Sequence, residues 1–176
     1  MTRPRPPSLR LDHLGLDPSS LVGRVLKTIK HSEKHPSLTL HFLDGTRIQI
    51  MVDGYSPAHP GVPKELEMSP SFRALFNAGD SVDLTVTDCA LITLSDKAFA
   101  LESNDQWDQR HLGVAFKFSA ASGSLDGLPD PWHCVWATLE EHDQHGSCIF
   151  RTYEDVYLEE LQRSPRKARH RKQSGP

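Results

Sequence analysis

Residues 38–50, Leu38-Thr39-Leu40-His41-Phe42-Leu43-Asp44-Gly45-Thr46-Arg47-Ile48-Gln49-Ile50, decide the fold class of this chain. Leu38, Leu40 and Phe42 alternate with Thr39, His41 and Leu43, and Ile48, Ile50 and Val52 alternate with Arg47, Gln49 and Met51. A side-chain period of two belongs to a strand with one buried face. Asp44-Gly45 between the two runs predicts a tight hairpin in which both turn residues take positive φ. The two apolar sets then share the core face.

The same reading extends along the chain. Asp17-Pro18-Ser19-Ser20 predicts a short helical turn with Asp17 as its cap, followed by a strand over 22–29. Residues 53–70 hold Pro57, Pro60, Pro63 and Pro70, which predicts a loop. Ser69-Pro70 opens a short helix with Phe72, Leu75 and Phe76 inward and Gly79 as its stop. Val82, Leu84 and Val86 read as a strand, and Ala90–Leu94 with Ala98–Leu101 as a hairpin turning at Ser95-Asp96-Lys97. Val114, Phe116 and Phe118 mark another strand, and residues 119–131 a loop. Trp132–Leu139 and Ser147–Arg151 predict a third hairpin, with Trp132, Cys134 and Trp136 on one face, read as the core face; the alternative is an exposed aromatic face for a partner. Thr152 and Asp155 form a partial capping box for a helix that buries Val156, Tyr157 and Leu161. Residues 38–50 and 90–101 resemble each other weakly, as two β-hairpins of this length do.

The expected fold is mainly β: a small antiparallel barrel or sandwich built from hairpins, with a C-terminal helix and disordered basic ends. All 23 acidic residues lie between Asp12 and Glu160. The ends carry only positive charge: Arg3, Arg5 and Arg10 in residues 1–10, and Arg163, Arg166, Lys167, Arg169, Arg171 and Lys172 in residues 163–176. Removing those nine from the chain's 20 basic residues leaves 11 against 23 acidic ones, a net of −12 for the stretch 11–162. The expected organisation is therefore a disordered basic arm over 1–10, one acidic β-rich domain over 11–162 and a disordered basic tail over 163–176. An acidic body repels phosphates, so nucleic acid is expected to meet the tail only. No apolar run reaches the ~20 residues that span a bilayer. The first residues lack the apolar stretch of a secretory signal. Three cysteines suit a reducing compartment, so the expected location is intracellular, nuclear or nucleo-cytoplasmic.

Three sets of residues have chemical potential. Cys134, His142, His145 and Cys148 offer two thiols and two imidazoles, but on a hairpin Cys134 lies too far down its strand to join the histidines. No metal and no cofactor is expected on that ground. The loop 53–64 and the segment 107–111 bring Tyr55, His59, Trp107, Arg110 and His111. A flat apolar wall from Tyr55 and Trp107, a carboxylate clamp from Arg110 and a base from His59 or His111 would make a rim site. The ordinary explanation is a proline-fixed loop with solvated charges. The tail segment 163–172 reads as a nuclear-import signal or phosphate-contacting patch, with Ser164-Pro165 a phosphorylation site beside arginines. Nucleotide-binding glycine loops, G-x-S-x-G, HExxH and CxxC are all missing.

The expected function is a non-enzymatic binding module acting through protein contacts, its tail met by an import receptor. One alternative is a small-ligand-binding protein or enzyme using the rim of residues 53–64 and 107–111. The other is a nucleic-acid accessory protein binding through its tail.

Overall fold

A computed structural model describes residues 15–58, 64–77, 81–120 and 132–162. The elements in chain order are β1 (Val25–His31), β2 (Leu38–Phe42), β3 (Arg47–Val52), β4 (Lys64–Met68), α1 (Pro70–Asn77), β5 (Leu84–Ala100), β6 (Asp105–Ala120), β7 (His133–His142), β8 (Cys148–Glu154) and β9 (Val156–Glu160). Every strand pairing is antiparallel. The sheet runs β4-β7-β6-β5-β1-β2-β3-β9, and β8 pairs with both β5 and β7. Its terminal strands β4 and β9 do not pair among the described residues, so the sheet is not a closed barrel. β5, β6, β7 and β8 form only a small local cycle of paired strands. No described helix is long and apolar enough to cross a membrane.

The β2–β3 hairpin forms where expected. Leu38, Leu40, Phe42, Ile48, Ile50 and Val52 are all buried. Its turn differs in detail. Gly45 N–H donates to the Phe42 carbonyl at 3.0 Å, Phe42 N–H donates to the Thr46 carbonyl at 3.0 Å, and Gly45 has φ 82°. Asp44 keeps negative φ, so this is a three-residue loop closed by a left-handed glycine. Asp44 accepts from the Thr46 backbone N–H and hydroxyl instead. The Asp17 cap also forms: its Oδ1 accepts from Ser19 N–H at 3.0 Å ahead of the 3-10 turn Pro18–Leu21. α1 appears as predicted and buries Phe72.

Four expectations are corrected. The C-terminal helix is absent: residues 152–154 end β8, and Val156–Glu160 is a strand. Val156 and Leu158 are buried and alternate with Tyr157 and Glu159, and β9 pairs with β3 at Ile50↔Leu158 and Val52↔Val156. Asp155 caps no helix. It is buried, its Oδ1 accepts from Leu112 N–H at 2.7 Å, and its carbonyl accepts from Asp53 N–H at 2.8 Å.

The loop 53–70 contains β4. The prolines flank the strand, Pro63 before it and Pro70 after it, so no ladder donor is missing from Lys64–Met68. No turn occurs at Ser95-Asp96-Lys97: β5 and β6 pair from Leu84↔Ala120 to Ala100↔Asp105. The reversal comes at residues 101–104, where Asn104 takes φ 54°. Asparagine tolerates that region, and although Asp96 could as well, Ser95-Asp96-Lys97 is held extended by its pairing with Asp108, Gln109 and Arg110. Finally, β7 buries the face opposite to the expected one: His133, Val135 and Ala137 point into the core, while Trp132 is 40% exposed.

Candidate functional site

Trp107, Arg110 and His111 all lie on β6, where alternation puts Arg110 on the face opposite Trp107 and His111. Trp107 packs against Phe150, ring centroids 6.2 Å apart. Arg110 is exposed on the other face. His111 is fully buried, with Nε2 2.6 Å from Asp96 Oδ2, which removes it from any solvent-facing role as a base. Tyr55 lies elsewhere, in a cleft whose walls include none of those three. His59, the arm 1–10 and the tail 163–176 with Ser164 lie outside the described residues.

The cleft has a volume of about 520 Å³. One wall is His31 at the end of β1 with the β1–β2 connection as far as Pro36, the facing wall is β4, and α1 contributes Arg73 and Phe76. Tyr55 joins the two sides, its hydroxyl 2.7 Å from His35 Nδ1. Lys64, Glu65, Leu66 and Met68 all border the space. Successive strand side chains point to opposite faces, so a cleft touched by both sets runs along the edge of β4. On its other edge β4 pairs with β7 from Lys64↔Leu139 to Met68↔Val135.

The charge of the cleft is mixed with a positive excess. Lys34, Lys64 and Arg73 face Glu33 and Glu65, with His31 and His35 between them. None of these three cations has an ion-pair partner among the described residues. Leu66, Met68 and Phe76 supply apolar wall. Sequence reading found Tyr55 but missed Lys34, His35, Lys64 and Arg73. They come from three separate segments, and no spacing unites them.

Beyond β4 lies a polar cluster with a structural role. Arg151 donates to Glu140 Oε1 at 2.6 Å, to both Glu67 oxygens at 3.0 Å and to the Tyr153 hydroxyl at 3.2 Å. Burial works against its charge, but the Tyr153 bond and the two carboxylates outweigh burial and raise its pKa. Trp136 Nε1 donates to Glu67 Oε2 at 2.9 Å, so Glu67 ties β4 to both β7 and β8. Gln109 donates to the Tyr153 carbonyl at 2.7 Å and accepts from Tyr153 N–H at 3.1 Å, replacing a missing backbone rung between β6 and β8.

Of the four residues weighed as zinc ligands, Cys134 stands apart, on the part of β7 that pairs with β6. Glu140, His142 and Cys148 instead bring one ligand atom each to within 4.8 Å of one another. The chain matches no family model, and no curated protein or solved structure matches it.

Proposed function

We propose that this chain is a non-enzymatic binding module that takes an extended, acidic segment of a protein partner into the cleft beside β4. The observation that carries the reading is the coincidence of a one-sided edge strand with a cationic cleft running along it. An extended peptide added to a sheet edge gains main-chain hydrogen bonds, and side-chain pockets then set specificity. Here Leu66, Met68 and Phe76 favour apolar side chains, while Lys34, Lys64 and Arg73 favour carboxylates. The preferred peptide alternates the two. The burial of His111 weakens the rim-enzyme alternative. On composition alone, the basic tail would serve as a nuclear-import or phosphate-contacting segment switched at Ser164.

Peptide display against the full-length chain tests the reading. Selected peptides should be enriched in acidic residues alternating with apolar ones, and Lys64→Glu with Arg73→Glu should weaken their binding at least about tenfold. Selection without acidic enrichment, or binding indifferent to both reversals, would overturn it. Deleting residues 163–172 separately tests the import role through cellular location.

A further inference from the structure

We infer that Glu140, His142 and Cys148 form a binding site for a single Zn²⁺ ion at the β7–β8 hairpin. This rests on geometry independent of the cleft. Glu140 and His142 are two apart on β7, which places them on one face. Cys148 is the cross-strand partner of His142, just past a register shift between Glu141 and His142. That irregularity sets the three donors together: their ligand atoms lie within 4.8 Å of one another, and His142 Nε2 is 3.3 Å from Glu140 Oε2. Zn–ligand bonds of about 2.0–2.3 Å require tetrahedral ligand atoms about 3.3–3.8 Å apart. Small side-chain rotations bring the trio into that range.

Oxygen, nitrogen and sulfur donors together suit zinc, and three protein ligands leave a fourth position for water. Arg151 orients the carboxylate: it takes Oε1 at 2.6 Å and leaves Oε2 turned toward His142. Such outer partners hold a ligand in its binding geometry. The charges also close. Glu67, Glu140 and Arg151 leave one net negative charge, the Cys148 thiolate adds a second, and a divalent cation neutralises both. On binding, the thiol proton leaves to solvent as the S–Zn bond forms, and the weak Cys148 Sγ–Phe150 carbonyl hydrogen bond at 3.3 Å is given up. His142 is exposed, so an ion has direct access from solvent. The competing explanation is that His142 is only an ion-pair partner of Glu140.

Cobalt titration of the reduced full-length chain decides between them. One equivalent of Co²⁺ should produce a thiolate-to-cobalt charge-transfer band with four-coordinate d–d bands, and Zn²⁺ should bleach both. Cys148→Ser should abolish the charge-transfer band. His142→Ala, an exposed position whose fold is checked by circular dichroism, should abolish the four-coordinate spectrum. Cys134→Ser should leave both unchanged. Absence of the charge-transfer band in the unaltered chain, its persistence in Cys148→Ser, or an unaltered spectrum in His142→Ala would overturn the assignment.

Discussion

The imidazole of His111 stacks on the phenol ring of Tyr153, with centroids 4.5 Å apart and planes inclined by 19°. One strand of a long hairpin thereby meets the strand that closes the local cycle. His111 Nε2 is held by Asp96 Oδ2 on β5, the strand that β8 also pairs with, and its Nδ1 has no hydrogen-bond partner among the described residues.

Truncating His111 removes the stack and opens a cavity. His111→Ala should cost about 2–3 kcal/mol in urea denaturation. Asp96→Asn should cost less, about 1 kcal/mol, because the Asp96 side chain is 40% exposed and can be solvated. A loss below about 0.5 kcal/mol for His111→Ala would show that the ring contributes little.

Replacing Arg151 by methionine keeps the side-chain length and leaves Glu67 and Glu140 without their shared cation. Breaking a fully buried pair costs about 3–5 kcal/mol, and this guanidinium is partly exposed, so about 2 kcal/mol is expected. A loss below about 0.5 kcal/mol in urea denaturation would show that the shared cation contributes little.

Gly15 and Gly23 separate backbone strain from steric contact. Both take left-handed φ, 89° and 88°. A Cβ on Gly23 meets nothing within 4 Å, whereas one on Gly15 would overlap the carbonyl oxygen of Leu158. That carbonyl also accepts from Leu16 N–H at 2.7 Å. Gly23→Ala should therefore cost about 1 kcal/mol and Gly15→Ala clearly more. Equal melting temperatures for the two variants would refute the close approach at Gly15.

The three thiols should differ in reactivity. Burial, then Asp88 and Asp17, push the Cys89 thiol from its ordinary 9.0 up to about 12. A thiol reagent at about pH 8 should modify Cys134 and Cys148 in the folded chain and Cys89 only after unfolding. Below pH 9.0 both states keep the Cys89 proton; between 9.0 and about 12 only the folded state does. Stability should thus fall as pH rises through that window, by up to about 1.4 kcal/mol per pH unit from this group. Cys89→Ala should flatten the alkaline slope, and an unchanged slope would refute the shift.

Local signals were legible wherever backbone sterics decide. Gly45 ends a hairpin because a left-handed residue is needed there, and Asp17 caps a turn because its side chain reaches Ser19 N–H. The cleft was legible only at Tyr55, since the cations around it converge through the folding of distant segments.

Sequence alone determined the β2–β3 hairpin, α1 and the mainly β, antiparallel character, because period-two and capping patterns act over a few residues. Tertiary structure alone decided that Val156–Glu160 is a strand. Over five residues with Val156, Tyr157 and Leu158 adjacent, helix and strand patterns overlap, and the outer edge of β3 supplied the hydrogen bonds that settled the matter. It likewise decided that β4 exists, by pairing with β7, and that Ser95-Asp96-Lys97 stays extended, by pairing with Asp108, Gln109 and Arg110. A strand is completed by its neighbour, and the neighbour's identity is not written in the strand's own residues.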